Sequence, residues 1–180
     1  STNLLLEEDF HINTFFTSKK TKNNNDMNLC NFGVKYDDGQ TAYITLNGMA
    51  SKSVYYYNSA AKDTKEVAWA NRSKAPGEGY RLIGVNVGLT TVEDDDGNKV
   101  NDKKTLVDYD ASKYVSEHLE DDMPVFIKGA LEFDAYTDKN GDVKRSHKLV
   151  PSQISLCSKE IDFEAEDFKA LADFKTTIVF

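Results

Sequence analysis

The feature that most constrains this chain is the stretch 105–157, where an amphipathic segment is followed by two alternating segments. Apolar residues recur at helical spacing in the first segment, and Pro124 ends it because proline lacks an amide proton. From Val125 onward, apolar and polar residues alternate with the period of a half-buried strand. Asn140-Gly141 tolerates the positive φ of a tight turn. The stretch therefore predicts a short helix followed by a long hairpin.

Short alternating segments separated by glycine-containing turns fill the chain upstream of this helix. The pattern predicts strands over 10–16, 29–36, 42–48 and 54–57, and one continuous strand over 80–89. Such an order predicts an all-β fold: a β-barrel with minor helices, specifically an OB-fold with elaborated N-terminal strands. One domain is expected over 1–180, with a core of roughly 28–157 and an acidic, C-terminal helical segment at 158–180.

Two details of the central stretch carry specific expectations. Asp108 and Asp110 are the predicted N-cap residues of the helix, since carboxylates favour the positive end of its dipole. Gly129 interrupts the first strand of the hairpin, where a barrel strand bends or bulges. Phe126 and Phe133 lie in the same strand and are expected to pack in the core.

Composition limits the classes of protein to which the chain can belong. A hydrophobic fraction of 39% over 180 residues suffices for one buried core. No apolar run approaches the ~20 residues of a membrane helix, and no secretory leader is visible, so a cytoplasmic protein without membrane contact is expected. Two cysteines, Cys30 and Cys157, are too few for a disulfide scaffold and suit a reducing compartment.

The net charge of −8 opposes nucleic-acid binding, because phosphate attraction supplies most non-specific affinity. The charge is unevenly distributed, however. Acidic residues concentrate in 93–96 and 159–173, whereas lysines and arginines cluster on the hairpin. An acidic protein binds DNA when its cations line one groove.

The hairpin resembles that of the bacterial and bacteriophage single-stranded DNA-binding (SSB) proteins. That family's hairpin follows a small helix and has the pattern V-x-I-x-G-x-L, then an aromatic residue and T-D-x-x-G. Here the matching residues are Val125, Ile127, Gly129, Leu131, Tyr136, Thr137, Asp138 and Gly141.

The resemblance implies an OB-fold that binds single-stranded DNA without sequence preference, in DNA replication, recombination or repair. It further implies a homo-oligomer in the cytoplasm of a bacterial host cell. Tyr136 stands where the family has a tryptophan that stacks on a base. The family's glycine-rich linker and acidic tip are not found within these 180 residues, and the inserts around 50–79 are not typical of it.

Aromatic platforms flanked by cations are what a sequence-independent binder of unpaired strands needs. Tyr136 is the leading candidate, and of the tyrosines at 55–57 at most two can face one side. The candidate nucleic-acid-binding residues are Tyr136, Trp69, Tyr80, Arg81, Tyr55, Tyr57, Lys128, Lys139, Lys144, Arg145 and Lys148.

No catalytic or cofactor motif accompanies these residues. The three histidines lie far apart, and the acidic runs beginning at Asp94 and Asp138 lack the glycine and glutamate that a calcium loop requires. We therefore expect no enzyme activity, no cofactor and no metal. Two alternatives stay open. One is an OB-type protein-interaction module of a replication complex, contacting replication or recombination proteins through the barrel surface or the acidic C-terminal segment, and the other is a metal-dependent nuclease.

Overall fold

The structure is a computed structural model that describes residues 15–35 and 41–157. Within these ranges the chain forms three β-sheets, one α-helix and one short 3-10 turn. The largest sheet curls into a half-barrel, which confirms the all-β, barrel-like class with minor helices. No helix in these ranges is long and apolar enough to cross a membrane. The first predicted strand, over 10–16, lies outside the described residues except for Phe15 and Phe16, which begin a described strand. The helical segment at 158–180 lies outside them entirely, so the single domain over 1–180 stays a prediction.

The half-barrel begins with an antiparallel meander. Its strands are β1 (Phe15–Lys20), β2 (Asp26–Lys35) and β3 (Thr41–Met49). Burial alternates along them: Cys30 and Phe32 on β2, and Ile44 and Leu46 on β3, point into the core. The period-two pattern predicted both strands, and on β3 it also predicted the buried side.

The chain then leaves the half-barrel and builds a small sheet. Its strands are β4 (Ser53–Asn58), β5 (Asp63–Ala68) and β6 (Tyr80–Leu82), in the order β5-β4-β6. The 3-10 turn Trp69–Asn71 follows β5 directly. The inner side of this small sheet packs Val54 and Tyr56 against Val107, which forms a second core.

Residues 80–89, predicted as one strand, are divided between the two sheets. β6 ends at Leu82, and β7 (Val85–Gly88) already belongs to the half-barrel. Gly84 permits this crossing, because a Cβ there would lie 2.3 Å from the carbonyl oxygen of Leu106. The prediction of a continuous strand is wrong, because apolar alternation does not reveal which sheet each half joins.

The next segment leads from β7 to the helix. It contains β8 (Thr91–Glu93), β9 (Lys99–Asn101), β10 (Lys104–Leu106) and α1 (Asp108–His118). Strands β8 and β9 pair only with each other, whereas β10 pairs with β7. The helix buries Ala111, Tyr114 and Val115 against the half-barrel. These residues belong to the stripe that the helical spacing marked.

The start of the helix differs from the prediction. Its N-cap is Val107, without a side-chain capping bond, and not Asp108 or Asp110. Asp108 accepts a hydrogen bond from the amide of Tyr109 at 2.8 Å, and Asp110 is engaged by Arg72. Both carboxylates lie in the first turn, as the dipole favours, but Asp108 binds the amide of the next residue and Asp110 binds Arg72.

The last two strands form the long hairpin. They are β11 (Val125–Thr137) and β12 (Val143–Leu156). Strand β12 also runs parallel to β3 and to β7, which gives the order β1-β2-β3-β12-β7-β10, with β11 paired to β12 alone. The register shifts between Lys128 and Gly129, so the predicted irregularity at this glycine is confirmed.

The hairpin turn is longer than a two-residue turn, although the positive φ of Gly141, +85°, is as predicted. The amides of Asn140 and Asp142 donate to a carboxylate oxygen of Asp138 at 2.8 and 3.0 Å. Asp94 accepts the same two kinds of bond in the β8–β9 turn. Both acidic runs are thus turns closed by their first aspartate.

Burial of the hairpin falls steeply towards its tip. Val125 and Ile127 pack partly against the main core, but every β11 residue from Lys128 to Thr137 is exposed. The expectation that Phe126 and Phe133 lie in the core is wrong: their exposed fractions are 52% and 77%. The half-barrel ends before the strands do, so alternation continues where no second layer covers it.

Candidate nucleic-acid interface

Two tyrosines and an arginine share the outer side of the small sheet. Tyr55 and Tyr57 are 51% and 41% exposed, whereas Tyr56 between them is buried. Tyr57 lies directly opposite Arg81 in the β4–β6 pairing, so the two side chains are on the same face. Two of the three adjacent tyrosines therefore face solvent together, as alternation requires. We call Tyr55, Tyr57 and Arg81 the tyrosine face.

The buried Tyr56 anchors this face. Its hydroxyl donates to the carbonyl oxygen of Arg72 at 2.6 Å. Burial raises the pKa of Tyr56, so the hydroxyl stays protonated and donates throughout the physiological range. A fixed Tyr56 holds β4 in place, and with it the orientation of the two exposed rings.

Trp69 and Tyr80, also predicted to bind nucleic acid, lie on other parts of the small sheet and have partners within the protein. The Trp69 ring meets Tyr109 edge-on at 5.6 Å, and the Arg72 guanidinium lies 4.3 Å from its centroid. The Tyr80 hydroxyl donates to Asp63 at 2.5 Å, and this bond raises the pKa of Tyr80. The Lys65 ammonium lies 4.6 Å from the Tyr80 ring. Both rings are therefore less free to stack on a base than Tyr55 and Tyr57.

Arg72 ties the small sheet to the helix. Its Nε and one terminal nitrogen donate to the two carboxylate oxygens of Asp110 at 2.6 and 3.0 Å. The other terminal nitrogen donates to the carbonyl of Trp69 at 3.1 Å. The pKa of Arg72 is raised, chiefly by the hydrogen bond to Asp110. Bidentate geometry of this kind fixes orientation as well as contributing energy.

Two open cavities lie where the small sheet meets the half-barrel. One has a volume of about 300 Å³, is mainly apolar, and is lined by Met49, Tyr55 and Trp69 among others. The second, of about 340 Å³, is lined by Asn47 and Pro151 among others. Both cavities share Ile83, Val107 and Asp108, so they adjoin and form one groove, which we call the junction groove.

The junction groove holds two polar groups with unusual environments. The Oδ1 atom of Asn47 is buried and accepts no hydrogen bond within the described residues. Burial raises the pKa of Asp108, whose carboxylate accepts the amide of Tyr109. The mainly apolar walls of the groove suit a flat, apolar ligand group.

The hairpin brings some of its predicted residues together and separates others. Tyr136, 56% exposed, lies directly opposite Lys144, and alternation places Lys128 and Lys148 on that same side. Arg145 lies opposite Ala135 and so points to the other side, while Lys139 is in the turn.

The cations beside Tyr136 already have carboxylate neighbours. Lys144 lies 3.8 Å from Asp138. Lys148 lies 3.6 Å from Glu132 and 3.9 Å from Asp134. These pairs reduce the attraction that the hairpin offers to phosphates, although exposed pairs of this kind are weak and exchange readily.

Two further exposed residues, both on β3, were not among the predicted binding residues. Tyr43 is 48% exposed on β3 and lies opposite Gly33, which leaves one side of its ring uncrowded. Met49 is on the same outer side of β3 and lines the junction groove beside Tyr55. Alternation over 42–48 already marks Tyr43 as outward-facing, so that signal was present in the sequence.

Residues 58–180 match the model of the YorF family, and the chain belongs to that family. No curated protein and no solved structure matches the chain. The match begins at Asn58, the last residue of β4, and includes Arg81, the helix and the whole hairpin. The resemblance to SSB proteins stays a prediction.

Proposed function

We propose that this protein binds single-stranded DNA without sequence preference and protects it during replication, recombination or repair. The setting is the cytoplasm of a bacterial host cell, as expected for a bacteriophage or bacterial protein, and the role needs no catalysis. The observation that carries the proposal is the tyrosine face: two exposed rings and a guanidinium on one side of a sheet, next to an apolar groove.

Each part of this surface matches a part of an unpaired strand. Exposed rings stack on bases at about 1–3 kcal/mol per base, irrespective of base identity. Arg81 supplies a cation for the backbone or for stacking on a base. The junction groove beside Tyr55 accepts an apolar, flat group, because its walls are mainly apolar. Tyr136 with Lys144 on the hairpin provides a second contact of the same composition.

A titration with oligo(dT) tests the proposal. Intrinsic fluorescence should be quenched at low salt, and affinity should fall as salt rises, because counterions are released from the phosphates. The double variant Tyr55→Ala/Tyr57→Ala should bind at least about tenfold more weakly, since two stacking contacts are lost. Tyr55→Phe/Tyr57→Phe should bind as the wild type does, because the rings remain.

The matched control is Val92→Ala/Val100→Ala, which trims two exposed side chains of the β8–β9 hairpin. Its affinity should equal that of the wild type. Unchanged binding by the Tyr55→Ala/Tyr57→Ala protein would show that the tyrosine face does not contact DNA. An absence of any binding by the wild type at low salt would contradict the proposed function.

A protein-interaction role in a replication complex is the second candidate, and the hairpin favours it. Phe133 and Val143 are 77% and 69% exposed, while Lys144 and Lys148 lie beside carboxylates. The net charge of −8 points the same way. Failure of oligo(dT) to bind, with a folded protein, is the outcome that favours this candidate. Strand cleavage on addition of Mg²⁺ would instead indicate a nuclease, although the described residues contain no cluster of three or more groups suited to a metal.

A further inference from the structure

Strand β11 presents the longest free edge among the described sheets. Over its thirteen residues, Val125–Thr137, it pairs with β12 on one side, and no other described strand pairs with it. From Lys128 onward all of its residues are exposed. A long edge with apolar side chains is a template for pairing with another strand.

Two other edges of the described sheets are protected against such pairing. β1 ends in two lysines, Lys19 and Lys20. β5 carries three charged residues in six: Asp63, Lys65 and Glu66. Short, charged strands resist edge-to-edge association. β11 is twice as long as either and carries only three charges in thirteen residues, so it lacks this protection.

The sequence of β11 is complementary to itself when reversed. With Leu131 at the centre of an antiparallel pair, all thirteen residues find a partner. Lys128 then faces Asp134, Phe126 faces Tyr136, and Phe133 faces Gly129. The remaining pairs are Val125 with Thr137, Ile127 with Ala135, and Ala130 with Glu132.

Three of these pairs have a physical reason to be favourable. Opposite charges and aromatic pairs facing each other across strands stabilise a sheet, and each occurs twice around a twofold axis. Phe133 covers the backbone of a glycine, which has no side chain of its own to pack. We propose that two copies of this chain form a twofold-symmetric dimer in which β11 pairs antiparallel with β11 of the second copy, centred on Leu131.

Neighbouring registers are less favourable. Moving the centre of the pair by one residue shifts every partner by two positions. Such a shift keeps paired side chains on the same face, because side chains alternate. Centring on Glu132 places that carboxylate against its own copy, and centring on Phe133 places Glu132 against Asp134. Centring on Ala130 pairs Lys128 with Glu132 but sets Asp134 against Phe126, and it leaves Tyr136 and Thr137 without partners in the strand. The Leu131 register alone pairs the whole strand without a like-charge contact.

The resulting arrangement is a four-stranded ribbon in the order β12-β11-β11-β12. Edge pairing joins backbones and leaves both faces of the ribbon open. Tyr136 of one copy and Phe126 of the other therefore lie side by side on the face that also carries Lys144. The dimer does not require the proposed DNA binding, since it uses the backbone edge of β11. It leaves the tyrosine face free and keeps Tyr136 and Lys144 on an open face of the ribbon.

Charge reversal on the full chain tests the pairing. Light scattering after size-exclusion chromatography over a wide concentration range should show a dimer for the wild type. Lys128→Asp and Asp134→Lys should each weaken association about tenfold, because two like-charge contacts are created. The double variant Lys128→Asp/Asp134→Lys should restore association, while thermal melts check that each protein is folded.

Cysteine cross-linking tests the register. In a Cys157→Ser background, Leu131→Cys should form a disulfide-linked dimer on mild oxidation, since opposing Cα atoms in an antiparallel pair are about 4.5–5.5 Å apart. Cys30 is fully buried and stays unreactive. Thr137→Cys is the control, because the proposed register places it opposite Val125 and far from its own copy.

A wild-type chain that stays monomeric at all concentrations would overturn the dimer. Association that survives both single charge reversals would overturn the strand pairing. Cross-linking through Ala130→Cys in preference to Leu131→Cys, or equal cross-linking through Thr137→Cys, would overturn the register.

Discussion

The junction between the two sheets and the far end of the hairpin are built from similar residues and have opposite environments. In both, tyrosines and valines lie on β-strands. At the junction Tyr56 and Val54 are buried against Val107, whereas on the hairpin Tyr136 and Val143 face solvent. The difference is a second layer, which the junction has and the distal hairpin lacks. Alternation therefore specifies a strand, and only a covering element makes one side of it a core.

Gly84→Ala should have the largest effect and would test whether the junction depends on close backbone approach. The added Cβ would lie 2.3 Å from the carbonyl oxygen of Leu106, and a backbone atom cannot rotate away. We expect a loss of about 3 kcal/mol in the free energy of unfolding, measured by urea titration. A loss below about 1 kcal/mol would mean that the two sheets move apart easily.

Arg72→Ala should cost less, about 2 kcal/mol, because it removes the bidentate bonds to Asp110 and the cation over Trp69. Thermal unfolding measures the change. The control is Lys144→Ala on the hairpin, whose longer pair with Asp138 is exposed and should contribute less than about 0.5 kcal/mol. Equal losses in the two variants would contradict the contrast between the regions.

Gly141→Ala should destabilise by about 1 kcal/mol, since alanine is strained at a φ of +85° but meets no atom there. Urea titration compares it directly with Gly84→Ala. Gly97→Ala, in the equivalent turn between β8 and β9 at a φ of +77°, is the matched variant and should behave alike. A loss as large as that of Gly84→Ala would show that the hairpin tip packs more tightly than its exposure indicates.

Asp108→Asn should have the smallest effect, and its size should depend on pH. Burial raises the pKa of Asp108 in the folded state, so the folded protein binds more protons than the unfolded chain in the acidic range just above the usual aspartate pKa. Stability is therefore lost as pH rises through that range. The variant should gain stability relative to the wild type at neutral pH, and this gain should shrink as the solution is acidified.

Melting temperatures recorded from acidic to neutral pH measure this effect. Asp95→Asn in the exposed β8–β9 turn changes the net charge equally and is the control. A pH-independent difference for Asp108→Asn would contradict the burial of this carboxyl group at the junction groove.

Much of the fold could be predicted from the sequence, because the strongest sequence patterns involve only neighbouring residues. Alternation in β2, β3 and β11, the helical stripe of α1, and the glycine at 141 each depend on a few neighbouring residues, and all appear in the structure. The break at Gly84 could not be predicted in this way, because the atom that excludes a side chain there belongs to Leu106. The start of the helix was likewise not predictable from neighbouring residues. Its N-cap is Val107, and Asp110 is held by an arginine 38 residues away.

The residues of the candidate site also divide into those whose placement a local pattern predicted and those whose placement depends on strand pairing. By itself the sequence determined that tyrosines 55 and 57 lie on one side of a strand, because side chains alternate with a fixed period. Tertiary structure decided that Arg81 joins them, that Trp69 and Tyr80 are engaged elsewhere, and that Arg145 points away from Tyr136. These outcomes depend on which strands pair and in which register, and pairing is set by contacts between residues far apart in the chain.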